Sequence, residues 1–159
     1  MTGNPRIGII SDTHGLLRPE ALDALRGVDY ILHAGDVGDP SILNALRAVA
    51  PLTAILGNID TEGPCSHLPP TEVITLRGHT FYMLHDRLAL DLDPAAAGFA
   101  AVISGHSHRP LVEWRHGVLY MNPGSAGPRR FSLPISLGLL TIRGGSLEPE
   151  LITLHPTSA

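Results

Sequence analysis

Lysine is absent from this 159-residue chain; its 11 basic residues are all arginine. That excludes Schiff-base chemistry and a phosphate loop built on lysine. Cysteine is nearly absent. The single Cys65 excludes an internal disulfide and any multi-cysteine metal cluster. No apolar run approaches the ~20 residues that a membrane helix needs, so no membrane partner is expected. Positive charge is also short. The net charge is −4 and the pI about 6.1, which gives no basic field for tracking long DNA or RNA. Met1 to Pro5 has no basic patch followed by a long apolar stretch, so no signal peptide is read there. A lone cysteine without a leader fits a reducing compartment, and the expected location is cytoplasmic.

What is present is a core and many histidines. Hydrophobic residues make up 43% of the chain. A chain of this length buries roughly 70% of its unfolded surface. One domain over residues 1–159 is expected. Glycine (17) and proline (14) are spread along the chain, which suggests short elements joined by tight turns. Nine histidines remain as the main metal-ligating and acid–base groups, together with the carboxylates.

The first half alternates strand and helix patterns. Strands are read at Arg6–Ile10, Tyr30–Leu32 and Leu52–Leu56, with helices at Pro19–Leu25 and Pro40–Val49. This is a βαβαβ pattern with a parallel sheet. The second half is richer in strands. Hairpins are read at Val73–Leu84 around Arg77-Gly78 and at Leu111–Met121 around His116-Gly117. A closing pair is read at Ser136–Ile142 and Leu147–Leu154. Between them lie a short Ala-rich helix at Pro94–Phe99 and a buried strand at Ala101–Ile103. Thr61–Pro70 reads as a polar loop. About ten strands and three helices suggest two sheets with helices outside.

Ligand-type residues repeatedly follow the apolar runs. Asp12 and His14, Asp36, Asn58, His85, His106 and His108, and Asn122 each stand at the end of such a run. In sheets of this kind, sites form at the carboxyl ends of strands. Asp12-Thr-His14 and His106-Ser-His108 are i, i+2 pairs, which point the same way in extended backbone. Mixed Asp, Asn and His ligands without thiolate suit manganese, iron, nickel or zinc, and are too nitrogen-rich for a pure magnesium or calcium site. Four histidines and bridging carboxylates exceed the needs of one ion, so a two-metal site is the natural reading.

The ordered set DTHG, HAGD, LGNID, LH, SGHSH and NPGS resembles the calcineurin-like metallophosphoesterase superfamily, in its small single-domain bacterial and archaeal phosphodiesterase branch. The resemblance runs from about Arg6 to Arg130. It implies an α/β fold, a four-layer αββα sandwich of two mixed β-sheets flanked by helices. It also implies a binuclear centre. Asp12, His14, Asp36 and His108 would hold the first metal. Asp36, Asn58, His85 and His106 would hold the second, with Asp36 bridging. Asp36, Asn58 and His85 are the catalytic candidates, and Asn58 and Arg129 the substrate-binding ones. The implied cofactor is two divalent ions, manganese first, with nickel, iron, zinc or magnesium as alternatives.

Three features depart from the family pattern. Ile59 stands where many relatives place a histidine or cysteine; a histidine there would act as general acid. Asp60 after it does match the small branch. Asp86 stands where glycine commonly follows the histidine; its carboxylate would either perturb the second metal site or form an outer hydrogen bond. The loop with Cys65 and His67 has no family counterpart. Of the other histidines, His33 is assigned to packing or support near the site, with substrate contact as the alternative. His67, His79, His116 and His155 are assigned to solvent, and Cys65 is taken as inert. One of Arg129 and Arg130 matches a family arginine that fixes a phosphate or supports the turn.

These features imply a metal-dependent phosphodiesterase with a bridging hydroxide nucleophile. Its substrate is expected to be a small phosphodiester or nucleotide-like molecule. The alternative is an inactive scaffold or regulatory binding protein of the same fold. The eukaryotic retromer subunit resembles the family in that way, but departs at the positions of Asp36 and Asn58. A homo-oligomer is left open.

Overall fold

Parallel strands need a crossover between them, and the first half of the chain supplies two. In the computed structural model, which describes residues 3–156, β1 (Arg6–Ile10), α1 (Pro19–Ala24), β2 (Tyr30–His33), α2 (Pro40–Arg47) and β3 (Leu52–Ala54) follow in order. Met1 and Thr2, part of the segment read for a leader, lie outside the described residues. Proline opens both helices, where its missing N–H costs nothing. Asp39 caps α2 by accepting from the Ser41 N–H at 2.9 Å.

The second half gives β4 (Thr71–Leu76), β5 (His79–Leu84), β6 (Ala101–Ile103), β7 (Leu111–Arg115) and β8 (Val118–Asn122), then β9 (Ser136–Arg143) and β10 (Ser146–Thr153). One five-stranded sheet has the order β10-β9-β1-β2-β3 and the other β4-β5-β6-β8-β7. Both are mixed. β1, β2 and β3 are parallel, as are β5, β6 and β8, while β9, β10, β4 and β7 join antiparallel.

The sheets face each other across the main core. Ile7, Ile9, Leu32 and Leu140 of the first pack with Phe81, Met83, Ile103, Leu119 and Met121 of the second. Each such buried side chain contributes about 1.5–3 kcal/mol. On the far side of the first sheet, Ile10, Ile31 and Leu137 meet Ala21, Leu25, Ile42, Leu43 and Leu46 of the helices. Gly8 allows that close approach, since a Cβ there would stand 2.3 Å from a Leu25 methyl. Tyr82, Leu84, Val102 and Val118 cover the outer face of the second sheet, with Leu90 and Phe99 packed on them.

The expected α/β sandwich of two mixed sheets is therefore present, with fewer helices than read from the sequence. Pro94–Phe99 forms turns and no helix. Asp93 starts it like a cap, its carboxylate accepting from the Ala95 and Ala96 N–H groups, but Gly98 enters the left-handed region (φ 81°) and stops it after one turn. The third strand ends at Ala54, before Leu56. The loop expected at Thr61–Pro70 holds a 3-10 turn, Pro64–His67, that buries Cys65. A second 3-10 turn spans Arg87–Ala89. No helix of the described residues is long and apolar enough to cross a membrane.

Candidate metal centre

The loops after β1, β2, β5 and β6 meet at one end of the sandwich. There, Asp12, His14 and His108 bring three ligand atoms within 4.8 Å of one another, and Asp12, Asp36 and His85 do the same. The two groups share Asp12. His14 Nε2 lies 3.2 Å from His108 Nε2 and 3.4 Å from Asp36 Oδ2. His85 Nε2 lies 3.2 Å from the same Asp36 oxygen. Asp12 Oδ1 stands 3.5 Å from His108 Nε2 and 3.8 Å from His85 Nε2.

Asp12, Asp36 and His85 are each held by one polar atom and turn the other toward the cluster. Asp12 Oδ2 accepts from the Ser11 hydroxyl at 2.8 Å and the His106 N–H at 3.0 Å. Asp36 Oδ1 accepts from the Ile59 N–H at 3.0 Å. His85 Nδ1 donates to the Ala34 carbonyl at 2.6 Å, which leaves Nε2 as a lone pair. Asp12 Oδ1 and His85 Nε2 are buried and have no hydrogen-bond partner. Buried polar atoms rarely stay unpaired. Here they are carboxylate oxygen and imidazole nitrogen facing a common point, and that fits a divalent first-row cation.

Backbone conformation serves the same end. Asp12, His14, Asp36, His106 and His108 all have positive φ, between 47° and 71°. Each costs on the order of 1–3 kcal/mol in a non-glycine residue. Hydrogen bonds from Asp12 N to Gly35 O and from His14 N to Asp36 O hold two of them in place. Asp60 ties the β2 and β3 loops together by accepting from the N–H groups of Val37, Gly38 and Gly57.

The electrostatics follow from this crowding. Burial alone would raise the Asp12 carboxyl. Contacts with His108 and His14, the charge of His85 and the Ser11 bond overcome it and hold Asp12 well below the ordinary carboxylate range. Asp36 is likewise lowered against its burial, by His85 and the Ile59 N–H. His85 is raised: its burial opposes the charge, but Asp36, the Ala34 carbonyl and Asp12 outweigh that. Both carboxylates are thus ready-made anions.

The remaining expected residues are placed differently. His106 is 43% exposed in its side chain and sits edge-on to His85, with ring centroids 5.2 Å apart. Asn58 is exposed and lines a shallow cleft with Gly57, His85 and Asp86. Asp86 Oδ2 lies 3.9 Å from His106 Nε2, so the extra carboxylate does face the rim. Arg129 is exposed on the loop after β8, and no hydrogen bond or ion pair among the described residues joins it to the cluster. His33 is fully buried and bonded to Thr13 and Gly35, which is a supporting role. His79, expected in solvent, is half-buried and lies within hydrogen-bond distance of the Arg77 and Gly145 carbonyls.

Ser11 and Thr13 were not among the expected site residues. Their only signal in the sequence is that they flank Asp12 within the first motif.

Comparison with known proteins settles the family. The model of the calcineurin-like phosphoesterase superfamily domain matches residues 6–145. The chain belongs to that superfamily. This phosphoesterase is 37% identical to a probable metallophosphoesterase of Methanothermobacter thermautotrophicus, over 92% of this chain and 91% of the relative. It is 29% identical to phosphodiesterase YfcE of Escherichia coli, over 82% of this chain and 84% of that one. Its fold is similar to that of vacuolar protein sorting 29 from Cryptosporidium parvum, with a TM-score of 0.76 at 17% identity, covering 94% and 97% of the two chains. The phosphoesterase is a metal-dependent hydrolase of phosphoric ester bonds.

Proposed function

We propose that this phosphoesterase is a phosphodiesterase that binds two divalent ions, manganese first among them, and cleaves a small phosphodiester. The observation that supports this best is the pair of overlapping donor groups around Asp12, with Asp12 Oδ1 and His85 Nε2 left without a hydrogen-bond partner. Asp12, His14, Asp36 and His108 would hold one ion. Asp36, Asn58, His85 and His106 would hold the other, with Asp36 Oδ2 between the histidines of the two sets. Two bound cations polarise a phosphoryl oxygen and make a water nucleophilic at neutral pH.

The chain's own residues set up the rest. The Ala34 carbonyl orients the ring of His85, and Ser11 with the His106 N–H orients Asp12. Asn58, exposed beside His85, would touch a substrate oxygen. Ile59, at the neighbouring position, has no proton to give a leaving alcohol. Diesters with acidic leaving groups should therefore react best. A cytoplasmic site of action suits the free, buried Cys65, whose thiol burial pushes up, with Asp60 and Asp39 adding to the shift.

The likeness to vacuolar protein sorting 29 supports a second reading, an assembly scaffold. Turnover of bis(p-nitrophenyl) phosphate with added manganese, together with a count of bound metal, separates the two. Hydrolysis with two ions per chain supports the phosphodiesterase. Bound metal without turnover of any diester would support the scaffold.

A further inference from the structure

Next to the donor cluster lies a second cavity of about 290 Å³. Its walls include Arg87, Leu88, His106, Ser107, Arg109 and Leu111. His106 is common to both places: it lines the cavity, and its ring lies against His85. A substrate whose phosphoryl group sits at the cluster would therefore lay one of its arms past His106 and into this cavity.

Two arginines there have no carboxylate partner among the described residues. Arg26, Arg115 and Arg143 each pair with a nearby carboxylate. Among the described residues, Arg87 and Arg109 pair with none. The guanidinium of Arg87 lies 5.9 Å from the centre of the Tyr120 ring, and its Nη1 is buried with no hydrogen-bond partner. An arginine cannot shed its charge, and a buried donor without an acceptor forfeits the bonds that water gave it. A guanidinium's planar fork matches carboxylate and phosphate oxygens.

The other polar groups are already committed. Asn122 donates to the Gly105 carbonyl and to Ser107 Oγ, and accepts from the Gly124 N–H, so it shapes the floor. Asp86 is the opposing charge, but one of its oxygens caps Leu88 N–H and the other faces His106. Two arginines against one aspartate leave the cavity cationic. Leu88, 89% exposed, and Leu111 add apolar wall.

We propose that this cavity is a subsite for one alcohol arm of the phosphodiester. It selects arms that carry a second anionic group, a phosphate or a carboxylate, bound by Arg87 and Arg109. The proposal rests on the phosphodiesterase reading and adds a substrate class to it.

The test compares three diesters that share p-nitrophenolate as the leaving group. The retained arm is phenyl, 4-carboxyphenyl or 4-phosphophenyl. With saturating manganese, the wild type should prefer a charged arm by about tenfold in kcat/KM, the scale of one charge-assisted hydrogen bond. The preference should lie in KM. It should weaken in Arg109→Gln, an exposed site where folding is not at risk, and disappear in Arg87→Gln/Arg109→Gln. Arg143→Gln, which removes a paired arginine elsewhere, should keep it. The larger of the two charged-arm preferences names the group. Equal kcat/KM for all three arms, or a preference that survives in the double variant, would overturn the subsite. If no diester turns over, the phosphodiesterase reading fails instead. Calorimetric titration with 4-carboxyphenyl phosphate and phenyl phosphate then still decides the subsite. Tighter binding of the carboxylated compound, lost in the double variant, supports it, and equal affinity refutes it.

Discussion

His33 donates its Nε2–H to the hydroxyl of Thr13 over 3.0 Å, and that direction is fixed by its other nitrogen. Nδ1 accepts from the Gly35 N–H at 3.1 Å, so the proton must sit on Nε2. Thr13 in turn donates to the Val37 carbonyl at 2.9 Å. This chain of bonds runs under the backbone that carries Asp36, and it works only with a neutral ring.

A neutral buried ring makes the fold acid-sensitive. Burial lowers the pKa of His33 from 6.5 to about 4. Between those values the unfolded chain takes up a proton that the folded chain refuses. Its contribution is therefore whole above pH 6.5 and is lost as pH falls to 4, by roughly 3 kcal/mol. Urea midpoints of the metal-free protein from pH 7 to 4.5 should show this. In His33→Gln the pH slope should flatten, with stability at pH 7 lower by about 1–2 kcal/mol. An unchanged slope would assign the acid sensitivity to other groups.

Metal and proton compete at His85. In the metal-free protein Asp36 and the Ala34 carbonyl hold that ring above its ordinary pKa despite its burial, so over the range where the ring titrates a metal must displace a proton. Manganese affinity should rise with pH through this region, and binding should release protons. Calorimetry in buffers of different ionisation enthalpy counts them. Activity lost at low pH should return in part with excess manganese.

Asp36→Asn keeps the size of the side chain and removes its charge. Its Oδ2 is 3.2 Å from His85 and 3.4 Å from His14, so the two proposed ion sites should weaken together. Diester hydrolysis should fall by about a hundredfold or more, with the circular dichroism of the fold kept. Two tightly bound metals and normal turnover in that variant would end the bridging assignment.

Gly57 controls the site through space alone. A Cβ there would fall 2.0 Å from the Asp36 nitrogen and 2.2 Å from its Oδ1. Gly57→Ala should cost about 1–3 kcal/mol in stability and weaken metal binding with it. Gly145→Ala, where a Cβ meets nothing within 4 Å, should change neither. Thermal melts with and without manganese compare the two.

The exposed Ile59 (44%) bears on the leaving group. Rates of wild type should depend steeply on leaving-group pKa, with nitrophenyl diesters far faster than alkyl ones. A placed general acid contributes about 10²–10⁴-fold. Ile59→His should recover at most the low end of that, and only for poor leaving groups. A flat dependence in the wild type would mean that another residue already supplies the proton.

Much of this was legible in the residues. Apolar runs ending in Asp12, Asp36, His85 and His106 marked strand ends, because a side chain after a buried strand has nowhere to go but the rim. The period of Ile42, Leu43 and Leu46 marked α2. Pro94–Phe99 misled because alanines favour a helix while Gly98 at its end allowed the chain to turn away. The bonds that hold the ligands were not legible. Ile59 N–H reaches Asp36 across 23 positions and His106 N–H reaches Asp12 across 94, and any residue but proline offers the same backbone donor. The two arginines of the second cavity hid for a similar reason. Nothing local distinguishes an arginine that lacks a carboxylate partner from one that has one.

The strand that carries Asp12 and His14 onto the rim, β1, has β2 on one side and β9 on the other. During synthesis its second edge stays open until Ser136–Arg143 leaves the ribosome, long after every ligand has been made. Tight metal binding should therefore wait until β9 has been made. A chain halted before β9 should carry the complete ligand set and hold no metal tightly, which equilibrium dialysis of a release-stalled chain against manganese can measure.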